Sequence, residues 1–307
     1  GAVKTAAFVL TGQPRTFVTP EAHHSIRRAI ADFGAHAYTF FYLTDDDAGS
    51  SWGGAPLSSD AARVHAAMAH LSPKYVYYGK FNGSELEDVR QRCPKVPEER
   101  SYGNKPFTAT FWETHEKQRR CFAEVEAFER THRMAFDWVV RLRPDLWFFG
   151  SPAMPAHCSL RPDALTFPAG VVVCRGSRAS TPCDNDHLAF MPRRYAGAFF
   201  SIAAAATSCQ GLAQLARYRN VGQHYVLARL LEAGVPIGHP SPLVPYTLLR
   251  ACSSAPNANT YAECLRWQSW EPYAGLKYDN GTWLPGVEAT RAEMLRLGAL
   301  CAREARA

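Results

Sequence analysis

The first 43 residues of the chain hold the pattern that most constrains its fold: strand, turn, helix, strand. Residues 6–10 form a continuous apolar run, which is typical of a strand buried on both faces. Thr19 then fits a helix N-cap, Pro20 fits the first helical position, and Gly34 fits the position after the helix. A second apolar run covers residues 38–43. Because a helical crossover joins parallel strands, the pattern predicts an α/β protein with a mostly parallel central sheet.

Further elements follow along the chain. Predicted helices cover residues 61–71, 107–132, 195–206, 221–231 and 288–306, and predicted strands cover residues 74–78, 136–149, 164–167, 170–174 and 188–191. We interpret residues 44–62, 82–106 and 252–286 as loop or irregular structure. Since no repeat or linker interrupts the chain, we predict a single domain over residues 1–307. Its nucleotide-binding lobe covers about residues 1–150 and its acceptor lobe about residues 151–307.

Cysteine usage indicates the cellular compartment. The chain has nine cysteines, none of them spaced as a CxxC pair, so zinc-ribbon spacing is absent. Two N-glycosylation sequons, at Asn82 and Asn280, accompany them. Together these features predict the lumen of the Golgi or endoplasmic reticulum, or secretion, with several disulfides and one odd thiol. The alternative is a cytosolic enzyme with nine buried free thiols.

Charge and hydropathy argue against two classes of protein. The net charge is +6, but the basic residues are dispersed, and the longest basic block is short, at residues 118–120. This distribution disfavours nucleic acid as a partner and fits a mildly basic cleft for phosphorylated substrates. No run of 18 apolar residues exists. We therefore expect membrane attachment solely through an anchor segment outside these residues, as in a type II membrane protein.

A polar turn, Thr11-Gly12-Gln13-Pro14-Arg15, follows the first predicted strand. Ligands of open α/β sheets bind at the carboxyl ends of the strands. Gly12 lets a backbone approach a ligand closely, and the guanidinium of Arg15 can form a charge-assisted pair with a phosphate. The motif is neither GxGxxG nor a Walker sequence, which disfavours dinucleotide and ATP sites. The alternative is a tight turn with a surface arginine.

Charged residues interrupt the predicted strand at residues 136–149. Arg141, Arg143 and Asp145 lie in it, and a buried strand carries such groups when they are paired or functional. Pro144 cannot donate to a sheet ladder, so Asp145 is predicted at the carboxyl edge of the strand. A carboxylate there suits a Mg²⁺ or Mn²⁺ ion that bridges a diphosphate, with the arginines on phosphate or clamping Asp145. The alternative is an Arg–Asp pair at a strand end.

Asp186 is a third candidate, in the polar segment 184–187 before a short apolar run. Its carboxylate can bind sugar hydroxyls or act as a general base on an acceptor hydroxyl. The alternative is an Asx-turn that enters a strand. We interpret two other groups as surface features: the aspartates at residues 45–47, and His23 and His24 in the first turn of a helix. Neither group has a partner at metal-ligand spacing.

Four segments together resemble a known family. They read FVLTGQPRTF, FWETHEKQRRCFAEVEAFE, FDWVVRLRPDLWF and DNDHLAFMPRRYA, in this order. Over about residues 6–235 the sequence resembles a group of plant- and alga-type glycosyltransferases of the GT-A type, and RxRPDL and TGQPR are the most specific pieces. The resemblance implies a GT-A-like, Rossmann-like fold. It also implies a UDP- or GDP-linked sugar as donor and a glycan or glycoprotein as acceptor.

The resemblance implies roles for single residues as well. GT-A enzymes hold Mn²⁺ or Mg²⁺ with an acidic DxD motif that ends a central strand. Asp145 would be the retained carboxylate of that motif, whereas Arg143 stands in the first acidic position and would act with Asp186 in catalysis. His239 would be a further metal ligand. The residues assigned to the nucleotide-sugar site are Gly12, Gln13, Arg15, Arg141 and Gln118.

These inferences predict a glycosyltransferase that moves a hexose or pentose to a glycan or protein hydroxyl. Catalysis would rest on leaving-group stabilisation by a metal on Asp145 and by the arginines, with Asp186 as the base in an inverting enzyme. The incomplete DxD motif leaves open a non-catalytic sugar- or nucleotide-binding protein of the same fold. A third possibility is a sulfotransferase or another phosphate-handling enzyme, although TGQPR is a poor match for a phosphosulfate-binding loop.

Overall fold

Strands and helices alternate along the first half of the chain. The computed structural model describes residues 4–45, 60–93, 101–102, 105–148, 153–168, 187–217, 222–238, 244, 246–251 and 265–268. The strands are β1 (Thr5–Gly12), β2 (His36–Thr44), β3 (Tyr75–Gly79), β4 (Ser101–Tyr102), β5 (Lys105–Pro106), β6 (Trp138–Leu142), β7 (Leu146–Phe148), β8 (Leu188–Pro192), β9 (Tyr246–Ala251) and β10 (Leu265–Gln268). The helices are α1 (Pro20–Asp32), α2 (Ala61–Ala69), α3 (Ser84–Arg92), α4 (Phe107–His132), α5 (Arg193–Phe200), α6 (Ile202–Ala205), α7 (Cys209–Arg217) and α8 (Gly222–Glu232).

The central sheet has five strands in the order β3-β2-β1-β6-β8. β1 pairs in parallel with β2, where Ala7 lies opposite Tyr38, and with β6, where Ala7 lies opposite Val139. β2 also pairs in parallel with β3, whereas β8 at the edge runs antiparallel to β6. The predicted α/β fold with a mostly parallel central sheet flanked by helices is therefore confirmed, and it is compatible with a Rossmann-like architecture.

Alternate residues of β1 fill two apolar cores, one on each face of the sheet. Phe8 and Leu10 pack in a core to which α1 and α2 contribute, for example through Met68. Val9 packs in a second core with α4, for example with Phe122. Both cores also take in residues of β8, so the division of the chain at about residue 150 stays a prediction. Burial on both faces explains why the sequence of β1 is continuously apolar.

The predicted limits of α1 are confirmed. Thr19 is the N-cap residue, and its Oγ1 accepts a hydrogen bond from the N–H of Ala22 at 3.4 Å. Gly34 follows the C-cap residue Phe33 and has a φ of +74°, the left-handed conformation expected directly after a helix. Helix α4 likewise coincides with the segment predicted at residues 107–132.

The strand predicted at residues 136–149 is interrupted at Pro144, where the sequence predicts that it ends or bulges. The chain breaks around Pro144 into β6 and β7, and β7 pairs with β9 in a separate three-stranded sheet with β10. Strand β10 lies within residues 252–286, which the sequence predicts as loop. Residues 164–167 form isolated bridges from Leu165 to Ile237 and from Thr166 to Phe190 rather than a strand. The strand predicted at residues 170–174 lies outside the described residues.

Two helix predictions also need correction. Helix α3 lies in the segment predicted as irregular, although its first turn carries two glutamates and its last turn two arginines, as the helix dipole favours. Its buried residues are Leu86 and Val89 alone, so its apolar pattern is too weak to reveal it. The helix predicted at residues 195–206 is divided at Ser201 into α5 and α6. The helix predicted at residues 288–306 lies outside the described residues.

A disulfide joins α3 to α7. Cys93 and Cys209 are bonded across a sequence separation of 116 residues, with their Cα atoms 5.2 Å apart. Cys158 is disulfide-bonded as well. The prediction that the chain contains disulfides is thus confirmed. Cys121, in α4, is a free and buried thiol, and burial raises its pKa well above the ordinary value, which disfavours a reactive role.

Among the described residues, no single helix is both long and apolar enough to cross a bilayer. Taken together, the segments Arg193–Ala205 and Cys209–Ala216 have the length and apolar composition of a membrane-spanning helix. They are bent relative to each other by 96°.

Candidate functional site

The strand order creates a topological switch point at the carboxyl ends of β1 and β6, the place where open α/β sheets form a binding crevice. From β1 the chain moves outward through α1 and α2 to β2 and β3, and α4 then leads it back to β6 on the other side of β1. Helices α1 and α2 pack on one face of the sheet and α4 on the other. In open α/β sheets, ligands bind at such a topological switch point. The segments that contain Arg15 and Asp145 follow β1 and β6 there.

Two turns pack against each other at this crevice. Gly12 has a φ of +136°, which side chains rarely adopt, and a Cβ there would lie 3.5 Å from Cδ of Pro144. A short 3₁₀ helix, Arg15–Val18, follows Pro14, and Arg15 has a φ of +38°. A positive φ at a residue other than glycine is strained and persists where the surroundings enforce it, often in functional sites. The two turns therefore hold Arg15 beside the residues that follow β6.

Asp145 joins the two turns through ion pairs. Its carboxylate accepts two hydrogen bonds from Arg143, from Nε to Oδ1 at 3.0 Å and from Nη2 to Oδ2 at 2.9 Å. Arg15 donates from Nη1 to Oδ2 of Asp145 at 3.2 Å and from Nε to Oε1 of Gln13 at 3.0 Å. The side chain of Asp145 is 2 % exposed, whereas those of Arg15 and Arg143 are 25 % and 18 % exposed. Asp145 thus lies at the carboxyl edge of β6, buried under two guanidinium groups.

The Arg15–Asp145–Arg143 cluster favours an anion as its ligand. Counted over these three side chains, two guanidinium groups and one carboxylate leave one net positive charge. Each guanidinium has five N–H donors in a planar fork. Partly exposed guanidinium groups in a fixed orientation bind phosphate through charge-assisted, often bidentate, hydrogen bonds. In charge and donor chemistry the cluster therefore suits a phosphate group better than a cation.

The surroundings of Asp145 do not suit a divalent cation. Both carboxylate oxygens accept hydrogen bonds from guanidinium groups, so a metal ion there would lie next to two positive charges. It would also have to displace these pairs from a side chain that is 2 % exposed. Ligation of Mn²⁺ or Mg²⁺ by Asp145 stays a prediction, and this pairing argues against it. The second predicted ligand, His239, lies outside the described residues.

The structure brings together the predicted residues Gly12, Gln13, Arg15, Arg143 and Asp145. Arg141 and Gln118 are each 2 % exposed and lie in the layer between the sheet and α4. Their assignment to the nucleotide-sugar site stays a prediction. Arg141 is opposite Val9 of β1 and Ala189 of β8, two residues of the α4-side core. Asp186 lies outside the described residues. The carbonyl of the following residue, His187, accepts a hydrogen bond from the N–H of Arg143 at 3.0 Å.

The basic block at residues 118–120 is paired within its own helix. Nε of Arg119 and Nε of Arg120 donate to the carboxylate of Glu116 at 2.6 and 2.8 Å. Arg120 also donates to the phenol oxygen of Tyr42 at 3.3 Å. Burial raises the pKa of Tyr42, and this hydrogen bond opposes the rise. These arginines therefore have protein partners on α4 and β2, as structural ion pairs do.

A concavity of about 470 Å³ lies away from the crevice, between the C-terminal part of α4 and the start of α5. Arg193, which lines it, donates to Glu129 at 2.7 Å and to Glu126 at 3.2 Å. Arg193 follows β8, whose last residue Pro192 lies opposite Trp138, the first residue of β6. The concavity is therefore at the amino end of β6, opposite to the strand ends where such sheets bind ligands.

A cluster of three histidines includes His23 and His24, and the interpretation of both as surface residues is wrong for His23, which is buried. His70, the C-cap residue of α2, lies against His23 and His24 of α1. Their ring nitrogens all lie within 4.8 Å of one another. The adjacent pair His23 and His24 is visible in the sequence, but no local pattern links it to His70. The contact arises from the packing of α2 beside α1.

A comparison of the sequence with models of known protein families finds no match, and a comparison with curated proteins finds no significant similarity.

Proposed function

We propose that this chain is a GT-A-type glycosyltransferase whose nucleotide-sugar donor binds across the carboxyl ends of β1 and β6. The observation that carries the proposal is the Arg15–Asp145–Arg143 cluster at the topological switch point. A nucleoside diphosphate bears several negative charges, for which two fixed guanidinium groups are suitable partners. The motifs behind the resemblance to GT-A proteins, TGQPR and RxRPDL, are the segments that form this cluster.

In this proposal Arg15 and Arg143 stabilise the leaving nucleoside diphosphate. As the bond between sugar and β-phosphate breaks, negative charge grows on the phosphate oxygens, and donors fixed beforehand favour that transition state. Asp145 is a positioning residue that holds both guanidinium groups in place. The acceptor is a hydroxyl of a glycan or glycoprotein, and Asp186 would take its proton in an inverting enzyme. We assign no step to a metal ion, because the surroundings of Asp145 do not suit one.

A non-catalytic nucleotide-binding protein of the same fold is the second candidate. The observation that favours it is the burial of Asp145, whose side chain is 2 % exposed and held by two arginines. A carboxylate in that state cannot present a metal ion to a donor diphosphate. The arginines would still bind the nucleotide, so measurements of binding and of turnover distinguish the two candidates.

We further propose that the chain works in the lumen of the secretory pathway, as a Golgi or endoplasmic reticulum protein anchored through a segment outside these residues, or as a secreted protein. The disulfide between Cys93 and Cys209 supports this, because disulfides persist in oxidising compartments. The sequon residue Asn82 is exposed, and its Oδ1 accepts a hydrogen bond from the N–H of Ser84 at 3.0 Å. The amide nitrogen, which carries an N-linked glycan, is therefore on the surface.

The chain itself offers a matched control for the proposed site. The tripeptide Arg-Pro-Asp occurs at residues 143–145 and again at residues 161–163. Arg161 donates to Asp163 through the same fork, from Nε at 3.0 Å and from Nη2 at 2.7 Å. Both side chains of this second pair are more than half exposed, at 53 % and 59 %. Substitutions at Arg143 and Arg161 therefore change the same local contact in two different places.

The test is the binding of UDP, GDP and adenosine bisphosphate by the wild type and by three variants: Arg15→Gln, Arg143→Gln and Arg161→Gln. We expect UDP or GDP to raise the melting temperature of the wild type, since a ligand of the native state stabilises it. Loss of one charge-assisted fork should weaken the affinity about tenfold or more in the first two variants and leave Arg161→Gln unchanged. An affinity for UDP and GDP that is insensitive to Arg15 and Arg143 would contradict this site.

Turnover is measured separately, as release of UDP or GDP from a panel of nucleotide sugars with and without Mn²⁺. Release that depends on Arg15 and Arg143 supports the glycosyltransferase. Tight binding without release on any donor supports the non-catalytic candidate. Stabilisation by adenosine bisphosphate alone would instead indicate a sulfotransferase-like site.

A further inference from the structure

Three imidazole rings converge where α2 ends beside α1. The ring centroids of His23 and His24 are 4.5 Å apart, those of His23 and His70 are 4.8 Å apart, and those of His24 and His70 are 5.3 Å apart. His23 is buried, whereas His24 and His70 are exposed. The cluster thus has one ring anchored in the protein and two rings that reach it from solvent. These residues are separate from the Arg15–Asp145–Arg143 cluster.

The buried ring of His23 is oriented as a metal-bound imidazole is. Its Nδ1 lies 3.1 Å from the carbonyl oxygen of Phe17, to which it donates when the proton is on Nδ1. Nε2 then carries the bare lone pair that a metal ion binds. Most histidine ligands in proteins donate their other ring N–H to a carbonyl or carboxylate in this way, which fixes both the tautomer and the ring orientation.

We propose that His23, His24 and His70 form a binding site for a transition-metal dication of the Zn²⁺ type, with its fourth position open to solvent. Three imidazole nitrogens suit Zn²⁺, Cu²⁺ or Ni²⁺, whereas Mg²⁺, Mn²⁺ and Ca²⁺ prefer oxygen ligands. The site is therefore distinct in its chemistry from the Mn²⁺ or Mg²⁺ site predicted at Asp145. It does not depend on the proposed glycosyltransferase activity.

The distances are within reach of a tetrahedral site. With Zn–N bonds of about 2.0–2.1 Å, tetrahedral ligands lie about 3.4 Å apart. The three ring nitrogens lie within 4.8 Å of one another, so each pair has to close by about 1.4 Å or less. Rotation of the exposed side chains of His24 and His70 can supply that movement, because exposed side chains change rotamer readily. It also has to turn the ring of His70, which is stacked on that of His23 with an angle of 8° between the ring planes, because a metal ion lies in the plane of each imidazole that binds it. His23 can keep its bond to Phe17 throughout.

Bound metal would fasten α2 to α1. His70 is the C-cap residue of α2, and His23 and His24 belong to α1. Ala67 and Met68 lie in α2 just before His70, and both pack in the apolar core to which α1 also contributes. A metal that binds the native arrangement and not the unfolded chain stabilises the folded state by mass action. Metal binding would thus stabilise the contact between two crossovers of the sheet.

The test is binding of Zn²⁺ by the chain after treatment with EDTA and dialysis, measured by competition with a chromogenic chelator. The double variant His24→Asn/His70→Asn removes the two exposed ligands and keeps the buried His23. The matched control is His65→Asn, which removes an exposed histidine of the same helix α2 outside the cluster. Co²⁺ in place of Zn²⁺ gives visible absorption bands that report the coordination geometry.

We expect one Zn²⁺ per wild-type chain at this site, and an intense Co²⁺ spectrum of the tetrahedral type. The double variant should bind roughly 100-fold more weakly or worse, because a single imidazole remains, while His65→Asn should match the wild type. Equal affinity and stoichiometry in the wild type and the double variant would overturn the proposal. So would a wild type that fails to compete with the chelator, or a Co²⁺ spectrum that the double variant leaves unchanged.

Discussion

At the scale of single residues, burial separates two copies of the same tripeptide. Asp145 lies under Arg143 and Arg15, whereas Asp163 pairs with Arg161 on the surface. Removal of one member of a buried ion pair is costly, because the remaining charge loses its counterion where water solvates it poorly. An exposed pair contributes little because water screens it. The Arg-Pro-Asp sequence is identical in the two places, so their different roles arise from position alone.

We therefore expect Asp145→Asn to lower the free energy of unfolding by about 3–5 kcal/mol. Asp163→Asn should leave it unchanged within error, because its side chain is 59 % exposed. Urea denaturation of the two variants beside the wild type measures the difference. Equal stability of Asp145→Asn and wild type would show that the cluster does not hold the two turns together.

The pKa of His23 predicts a stability that depends on pH. Burial is the largest cause that lowers it, and the neighbouring His24 and His70 lower it further, while the bond to the carbonyl of Phe17 and the charge of Glu21 oppose the shift. As the pH falls through about 6.5, the unfolded chain takes up a proton that the folded chain resists. At higher pH the ring is neutral in both states, and His23 does not change the free energy of unfolding. As the solution becomes acidic, preferential protonation of the unfolded chain lowers that free energy.

The measurement is thermal unfolding between about pH 7.5 and pH 5, in the presence of EDTA, for the wild type and for His23→Asn. We expect the melting temperature of the wild type to fall more steeply with acidification than that of the variant. The slope of melting temperature against pH is compared rather than the melting temperature itself, because a loss of stability that is the same at every pH does not change the slope. Parallel profiles would mean that His23 titrates alike in the folded and unfolded chain.

At the scale of elements, the disulfide between Cys93 and Cys209 fastens α3 to α7 across 116 residues of sequence. A cross-link that closes a long loop restricts the unfolded chain, and its loss typically costs about 2–5 kcal/mol. We expect the double variant Cys93→Ser/Cys209→Ser to lose stability in that range, measured by urea denaturation without reductant. Addition of reductant should lower the stability of the wild type at least to that of the variant, because reductant also breaks the disulfide of Cys158. A variant as stable as the oxidised wild type would contradict a stabilising role.

At the scale of the whole molecule, the compartment decides whether the chain is cross-linked and glycosylated. We expect secretory expression in eukaryotic cells to give an N-glycan on the exposed Asn82, seen as a gel shift that an N-glycan-cleaving enzyme reverses. Asn82→Gln should remove this glycan, and Asn280→Gln reports the second sequon, which lies outside the described residues. An unglycosylated chain with all nine thiols reduced in its native source would contradict a lumenal location.

Sequence patterns reveal the elements of this protein where their signals are local. The apolar run of β1, the N-cap Thr19, the residue Gly34 after α1 and the long apolar stripe of α4 each act within a few residues, and each is found where the sequence predicts it. Helix α3 was missed because its amphipathic face is narrow. The break at Pro144 indicates where a strand ends, but not that β7 joins another sheet.

The amino-acid sequence by itself therefore determined the α/β class, the central strands and the presence of a charged turn after β1 and after β6. The tertiary structure decided which of these charged groups meet: Arg15 reaches Asp145 across 130 positions, and His70 reaches His23 and His24. It also decided that Arg141 and Gln118 are both buried, each 2 % exposed. The physical reason is that caps, prolines and periodicity act over a few residues, whereas ion pairs and metal-type clusters depend on how distant strands and helices pack.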